Sequence, residues 1–367
     1  MSRTLTYEPG ELSFGDLSTP AGIACAMDGS PAGPEPSAAS QADADATEQP
    51  RTLRVVFMGT PAYALGSLRA LAAAPFVELV AVVTRPDAVS GRGKKLIASP
   101  VKELAGELGV PVIETKSLRG EQVQTQLRDL APDVIAVTAF GAIVPDELIA
   151  LPTMACLNVH ASLLPRWRGA APMQRALLAG DERLGYSVMR IEHGLDTGDY
   201  CRQGSVWVGE RTYPELSEEL SRAGGEALVD VLRDLALGRE LEWVKQDESL
   251  TCEAPKIDKA ELRLSPDLTC TDNMRRIQAS SDEAPARAIV AGRTVRILSA
   301  HIVHADEGVP DVALGTARVH QGRVLLGCAD GGVLEALSLK PDGKRAMSAR
   351  EFAAGIHGDD QSWEALA

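Results

Sequence analysis

Several features that would place this 367-residue chain in familiar protein classes are absent from its sequence. It has no apolar run of about 18 residues, the length that a membrane-spanning helix needs, so we expect no contact with a membrane. Its six cysteines form no C-x-x-C pair and have no histidines at zinc-site spacing, so we expect free thiols in a reducing compartment and no metal. The dinucleotide fingerprint G-x-G-x-x-G is also missing, which disfavours a nicotinamide cofactor.

The charge of the chain is acidic and unevenly distributed. A net charge of −14 argues against a protein that coats nucleic acid, but it leaves room for one local basic patch. Residues 1–50 contain one basic and eight acidic residues, so half of the net charge lies there. Because the segment 1–52 is rich in Ala, Ser, Pro and Gly and lacks targeting features, we predict a disordered acidic extension of a cytoplasmic protein. A misplaced start codon stays open as the alternative origin of this stretch.

An alternation of apolar strands and helices begins at Leu53. Strands are predicted over 53–58, 77–83, 111–113, 133–139 and 156–160. Apolar strands that alternate with helices of about 10 to 15 residues indicate βαβ units and a parallel sheet covered on both faces. We therefore predict an α/β catalytic domain with a Rossmann-like, mostly parallel sheet over residues 53–239. Open sheets of this kind bind ligands at the carboxyl ends of their strands.

The pattern changes after a long predicted helix at 213–237. Residues 240–260 combine scattered charge with a proline, and we predict a linker there. Short strands separated by Gly- and Asp-rich turns follow at 288–290, 294–298, 300–303, 323–326 and 333–337. This spacing predicts a smaller C-terminal OB-like β-barrel domain over residues 261–367.

Two polar residues mark the end of the fifth predicted strand. Asn158 and His160 are two positions apart, so their side chains point to the same face of the sheet, at the end where ligands bind. A lone strand histidine is usually structural, but the asparagine beside it favours a site. Asp196 lies in a Gly-rich turn. Its side chain either only stabilises that turn, as aspartates in turns usually do, or is a carboxylate that orients His160. Cys156 is a nucleophile only as a remote alternative, because it lies in an apolar run.

A basic loop is the second candidate site. Residues 85–96 contain four basic residues, one acidic residue and two glycines. The loop is either a solvated surface segment or a flexible arm in which Arg92, Lys94 and Lys95 contact phosphates. The loop alone favours neither interpretation.

Together these segments resemble the methionyl-tRNA formyltransferase family, from Leu53 to about Gly358. The resemblance rests on Gly59-Thr60-Pro61, Gly91-Arg92-Gly93-Lys94-Lys95-Leu96, Asn158-Val159-His160, Ser162-Leu163-Leu164-Pro165-Arg166-Trp167-Arg168-Gly169-Ala170-Ala171-Pro172, Gly194-Leu195-Asp196-Thr197-Gly198-Asp199 and Lys344-Arg345-Ala346-Met347-Ser348-Ala349. The Asn–His–Asp set and the S-L-L-P loop are shared by all folate-dependent formyltransferases. The R-W-R-G-A-A-P extension, the basic loop and the β-rich C-terminal domain point to tRNA.

The resemblance implies a reaction and roles for three residues. The formyl group of 10-formyltetrahydrofolate would pass to the amino group of methionyl-initiator tRNA, without a metal. Asn158 and protonated His160 would stabilise the oxyanion of the tetrahedral intermediate, and Asp196 would support the imidazole and help to relay the proton.

The resemblance also implies two binding regions. The loop Ser162-Leu163-Leu164-Pro165 would bind the folate, and Arg92, Lys94, Lys95 and Lys256 would contact the tRNA. We expect the protein to be a monomer.

Three alternatives stay open at this point. The first is a folate-dependent formyltransferase for another amine, such as an amino sugar nucleotide, and dependence on aminoacylated tRNA would separate the two. The second is an RNA-binding protein whose formyltransferase core is inactive. The third is a nucleotide-dependent oxidoreductase, which the missing fingerprint disfavours.

Overall fold

The computed structural model describes residues 49–90 and 95–366. Its strands are β1 Leu53–Gly59, β2 Val77–Thr84, β3 Ala88–Ser90, β4 Lys95–Ile97, β5 Val112–Glu114, β6 Val134–Thr138, β7 Ala155–His160, β8 Arg168–Gly169, β9 Arg183–Arg190, β10 Tyr200–Trp207, β11 Glu253–Ala254, β12 Arg287–Val290, β13 Arg293–Ile302, β14 Thr316–His320, β15 Arg323–Gly327, β16 Val333–Pro341, β17 Met347–Ser348 and β18 Asp360–Ala365. Its α-helices are α1 Leu65–Ala73, α2 Pro100–Glu107, α3 Glu121–Asp129, α4 Asp146–Ile149, α5 Pro172–Ala179, α6 Tyr213–Ala236, α7 Cys270–Gln278 and α8 Ala349–Ala353. Within these described residues, no helix is both long enough and apolar enough to cross a bilayer.

Seven strands form the sheet of the N-terminal domain, in the order β10-β9-β7-β6-β1-β2-β5. The five strands from β7 to β5 run parallel, and β9 and β10 are antiparallel additions at one edge. The chain order reverses at β1, so a crevice opens at the carboxyl ends of β1 and β6. The predicted Rossmann-like, mostly parallel sheet is confirmed.

Side chains of alternate residues enter two apolar cores, one on each face of the sheet. Val55 and Phe57 of β1 face the core that α1 and α6 cover, whereas Val56 and Met58 face the core beside α3. All four are fully buried. Burial on both faces explains why the central strands are apolar throughout, since full burial of such a side chain contributes about 1.5–3 kcal/mol.

Two glycines let α1 and α6 pack against each other at close range. A Cβ atom on Gly66 would lie 2.1 Å from the Ser221 carbonyl oxygen, and one on Gly225 would lie 2.5 Å from the Gly66 carbonyl oxygen. The Ser221 hydroxyl accepts a 3.0 Å hydrogen bond from Gly66 N and donates a 2.7 Å bond to the carbonyl oxygen of Tyr63. These contacts hold the segment that follows β1 against the long helix.

The C-terminal domain is a closed antiparallel barrel, as predicted. The strands pair in the cycle β12-β13-β16-β15-β14-β18 and back to β12. Trp363 is 1% exposed, lies in the barrel core and donates a 2.9 Å hydrogen bond from Nε1 to the Gly327 carbonyl oxygen. The prediction of separate strands at 294–298 and 300–303 was wrong. They form one strand, β13, because the register shifts at Ser299 without ending the pairing with β16.

A shared apolar layer joins the two domains. It combines side chains of α5 and α6 with residues that follow β11, and its buried members include Met173, Leu177, Leu216, Leu220, Ile257, Leu262, Ala279 and Ala284. The C-terminal domain therefore packs against α5 and α6 of the N-terminal domain.

Candidate active site

Asn158 and His160 lie near the carboxyl end of β7, on the wall of a cleft of about 3260 Å³. The neighbours of Asn158 in the sheet are Val137 on β6 and Met189 on β9, which line the same cleft. His160 is 6% exposed and Asn158 is half-buried. The alternation of side chains along β7 thus brings both residues to the crevice where the fold binds ligands.

The Asn158 amide is the polar side chain of β7 that is available to a ligand. Among the described residues, the Asn158 side chain has no hydrogen-bond partner. Its neighbours in the sheet, Val137 and Met189, have apolar side chains. An amide carries two N–H donors and a carbonyl acceptor. The geometry therefore leaves Asn158 able to donate to an oxygen atom in the cleft.

Both ring nitrogens of His160 face groups of the protein. Nε2 lies 2.9 Å from the Trp167 carbonyl oxygen, and because that oxygen can only accept, Nε2 carries the proton of this bond. Nδ1 lies 3.6 Å from Oδ2 of Asp196, which is an ion-pair distance and too long for a direct hydrogen bond. The Asp196 carboxylate thus faces the Nδ1 edge of the ring, and the Trp167 carbonyl faces the Nε2 edge.

Two hydrogen bonds hold Asp196 in the turn after β9, and a third holds its neighbour Gly198. Its Oδ2 accepts a 2.9 Å hydrogen bond from Gly169 N. Its own carbonyl oxygen accepts a 2.9 Å bond from Nε2 of Gln246, which also donates a 2.6 Å bond to the carbonyl oxygen of Gly198. With a φ of 53°, Asp196 has the left-handed backbone that short polar side chains tolerate. The Asn–His–Asp set of the sequence is thus brought together in space.

The R-W-R-G segment after β7 is fixed by residues distant in sequence. Trp167, with a left-handed φ of 62°, donates from Nε1 to Asp181 at 2.7 Å and from its backbone N to Cys252 Sγ at 3.3 Å. Arg166 pairs with the same Asp181 at 3.0 Å. β8 and β11 pair in parallel, so the segment predicted as a linker helps to place the Trp167 carbonyl that contacts His160.

The loop Ser162-Leu163-Leu164-Pro165 does not line this cleft. Ser162 and Leu164 are 3% exposed; the Ser162 hydroxyl donates to the Arg166 carbonyl oxygen at 2.6 Å, and Leu164 N donates to Ser187 Oγ at 3.1 Å. The loop lies behind the wall and shapes the R-W-R-G turn. Its contact with folate stays a prediction.

Two exposed apolar side chains form the cleft wall that the sequence did not reveal. Ile143 is 75% exposed and Leu195 is 66% exposed, and both line the cleft that contains Asn158. Ile143 lies in the turn between β6 and α4, and Leu195 directly precedes Asp196. In the sequence, each of them is only a single apolar residue in a turn. Such residues are common on protein surfaces, so their place in the cleft cannot be recognised without the fold.

The residues predicted to bind tRNA are placed only in part. β3 and β4 pair as an antiparallel hairpin, but Arg92, Lys94 and the side chain of Lys95 lie outside the described residues. Lys256 is exposed and lines the cleft, and its carbonyl oxygen accepts a 3.0 Å hydrogen bond from Arg175. The tRNA contacts of all four cations stay predictions.

Cys156 is not suited to nucleophilic chemistry. The thiol is 6% exposed, and burial raises its pKa to about 12, so it stays protonated and unreactive at neutral pH. Across residues 49–90 and 95–366, no three His, Cys, Asp or Glu side chains converge as metal ligands do.

The chain matches known proteins over both domains. Residues 53–232 match the family described as formyl transferase, and residues 256–357 match formyl transferase, C-terminal domain. A methionyl-tRNA formyltransferase of Methylococcus capsulatus is 41% identical over 301 residues, which cover 82% of this chain and 96% of the relative. That of Desulfovibrio desulfuricans is 39% identical over 317 residues, which cover 84% and 94%.

A solved structure shows the same fold at low identity. HypX from Aquifex aeolicus in complex with tetrahydrofolic acid superposes with a TM-score of 0.54 at 15% identity. The match covers 84% of this chain and 50% of HypX, so the chain spans about half the length of that protein. Because the two curated relatives are matched over nearly their whole length and both formyl transferase domains are present in order, the chain belongs to the methionyl-tRNA formyltransferase family.

Proposed function

We propose that this protein transfers the formyl group of 10-formyltetrahydrofolate to the amino group of methionyl-initiator tRNA. The observation that carries the proposal is the convergence of Asn158, His160 and Asp196 at the carboxyl end of β7, in a chain of this family. Formyl transfer forms a bond between the amine nitrogen and the formyl carbon and breaks the bond from that carbon to the folate nitrogen. One proton must leave the amine and one must reach the folate nitrogen.

The three residues meet the needs of this acyl transfer. The Asn158 amide, without a partner among the described residues, donates a hydrogen bond to the oxygen that becomes negative. His160, supported by Asp196, supplies the second donor. To reach the substrate oxygen, the imidazole exchanges its bond with the Trp167 carbonyl, since catalytic hydrogen bonds often form only with substrate bound. Asp196 takes up the proton of the amine and relays it, with His160, to the folate nitrogen that leaves, so that the two proton transfers balance.

The wall of the cleft suits a flat, partly apolar co-substrate. Ile143 and Leu195 expose apolar surface in the cleft that Asn158 also lines, and a pterin ring placed against them would bury that surface. Val137 and Met189, the strand neighbours of Asn158, line the same cleft. We therefore place the folate against the turn after β6 and the turn before Asp196.

The basic hairpin and Lys256 would bind the tRNA backbone. The sequence from Arg92 to Lys95 contains three cations in a chain of net charge −14, and Lys256 lines the cleft that contains Asn158. Phosphate contacts of this kind weaken as salt rises. We further propose that the enzyme acts as a monomer in the cytoplasm, where initiator tRNA is charged and used.

The test is transfer of radiolabelled formyl from 10-formyltetrahydrofolate to charged initiator tRNA, with His160→Ala beside the wild type. Label on methionyl-tRNA that is lost in the variant would support both the reaction and the site. His193→Ala is the matched control, because His193 is an exposed histidine on the cleft that pairs only with Asp146 at 3.4 Å. If label moves to an amino sugar nucleotide and not to tRNA, the assignment of the acceptor is wrong.

A further inference from the structure

Gln246 is a buried glutamine in the segment that connects the two domains. It is 5% exposed, and its side-chain amide group makes two short bonds. Nε2 donates to the carbonyl oxygens of Asp196 at 2.9 Å and Gly198 at 2.6 Å. Both acceptors belong to the turn that carries the Asp196 carboxylate.

Arg168 fixes the direction of the Gln246 amide. Its Nε and Nη2 donate to Gln246 Oε1 at 3.0 and 2.8 Å, and the guanidinium pairs with Glu248 at 2.9 Å. The Arg168 side chain is only 11% exposed. Because Arg168 donates but cannot accept, it holds the oxygen of Gln246 towards itself and turns the two N–H groups towards the Asp196 turn.

The Asp196 turn needs such support. Asp196 has a left-handed backbone at φ 53°, a conformation that persists where the surroundings hold it. Its side chain must also meet both Gly169 N and His160. Gly169 directly follows Arg168, so one short strand places a backbone donor on the Asp196 carboxylate and, through Gln246, a second donor on the Asp196 carbonyl.

We propose that Gln246 is a positioning residue for catalysis: together with Arg168 it holds the Asp196 turn so that the carboxylate faces His160. This inference rests on the proposed function. Gln246 lies outside both predicted domains, in the segment 240–260, and its side-chain hydrogen bonds within the described residues go to Asp196, Gly198 and Arg168. The segment between the domains thereby becomes part of the active-site architecture.

The test compares Gln246→Leu and Gln246→Glu with the wild type in steady-state formyl transfer. The leucine variant removes both N–H donors of Gln246 with little change in side-chain size. The glutamate variant keeps an oxygen that accepts from Arg168, but it places a second oxygen against the carbonyl oxygens of Asp196 and Gly198, where the amide nitrogen donated. We expect kcat to fall roughly 10- to 100-fold, because a small displacement of a catalytic group has effects of that order. The KM for tRNA should stay within about twofold, since Gln246 contacts none of the residues assigned to the tRNA, whereas the KM for folate should rise as kcat falls, because the turn that Gln246 holds also carries Leu195.

Gln278 provides the matched control. It is 7% exposed, and its Nε2 also donates to two backbone carbonyls, those of Gly209 at 2.7 Å and Arg211 at 3.3 Å. Gln278→Leu should lower the melting temperature about as much as Gln246→Leu and leave kcat within about twofold of the wild type. If kcat fell equally in both variants, the loss of any buried glutamine would lower activity, and the proposal would be overturned.

A double-mutant cycle tests whether Gln246 acts through Asp196. In an Asp196→Asn background, followed by single-turnover label transfer, Gln246→Leu should cause little further loss, because the group that it positions is already disabled. Full additivity, or a wild-type kcat in Gln246→Leu, would overturn the inference while formyl transfer by the wild type still stands. A wild type that transfers no formyl group to any amine would instead overturn the proposed function and this inference with it.

Discussion

The backbone nitrogen of Gly169 donates a 2.9 Å hydrogen bond to Oδ2 of Asp196, the same oxygen that lies 3.6 Å from His160 Nδ1. The carboxylate therefore has one fixed donor and one titratable neighbour. The fixed donor comes from β8, which is held in place by its pairing with β11. The position of the Asp196 carboxylate thus depends on a strand pair that joins residues more than 80 positions apart.

We expect Asp196→Asn to lower kcat by about 100-fold or more, in the range that loss of a positioned acid–base group produces. Asparagine keeps the shape and an acceptor for Gly169 N but removes the charge opposite His160. Label transfer to methionyl-tRNA measures the effect. Asp199→Asn, in the same turn, is the control and should retain wild-type activity. A wild-type kcat in Asp196→Asn would remove Asp196 from the mechanism.

Gly169→Ala should destabilise the protein by about 1–3 kcal/mol and reduce formyl transfer. The φ of Gly169 is 129°, and a Cβ atom there would lie 2.8 Å from the Ala254 carbonyl oxygen, so β8 and β11 must move apart. Chemical denaturation and kcat report the two effects. Gly106→Ala is the control: no atom lies within 4 Å of its Cβ position in α2, so stability should stay or rise. Equal stability of the two variants would contradict the close approach of the strands.

Joint neutralisation of Arg92, Lys94 and Lys95 to glutamine should raise the KM for tRNA by at least about tenfold and change the KM for folate much less. The reason is loss of phosphate contacts, so the salt dependence of the KM for tRNA should also become shallower. Arg128→Gln removes one exposed charge on α3 as a control. Equal changes in both KM values would contradict the docking role of the hairpin.

The His301 side chain should make stability depend on pH. Its Nε2 lies 2.7 Å from Glu307 and its Nδ1 lies 2.5 Å from Glu210, which belongs to the catalytic domain. The hydrogen bond with Glu307, and then that with Glu210, raises the pKa of His301 above its ordinary value. The folded state thus binds the proton more tightly, and the extra stability is complete below about pH 6.5 and is lost as pH rises through the folded pKa.

We therefore expect His301→Gln to lower the free energy of unfolding at pH 6 and to have little effect at pH 9, as measured by urea denaturation. The effect should be modest, because the Glu210 side chain is 62% exposed and solvent screens the pair. His357→Gln, at an exposed histidine, is the control. A loss of stability in His301→Gln that is the same at both pH values would show that packing, not charge, is responsible.

Local patterns were enough to predict the two domain types. Apolar runs such as Leu53 to Met58 can be buried on both faces only in a covered parallel sheet, and the short strands after residue 287 are typical of a barrel. The period of two along β7 likewise predicts that Asn158 and His160 share one face of the sheet. The error at Ser299 arose because a register shift looks like a turn when the partner strand is unknown.

Short-range chemistry therefore determined the sheet, the barrel and the pair Asn158 and His160. Only the tertiary structure decided how the site is held: the Trp167 carbonyl on His160, the buried Gln246 under the Asp196 turn, and the loop from Ser162 to Pro165 behind the cleft wall. The hydrogen bond from Gln246 to Asp196 spans 50 positions of the chain. No periodicity or local propensity specifies such a contact, because it exists only after β8 and β11 have paired and buried both partners.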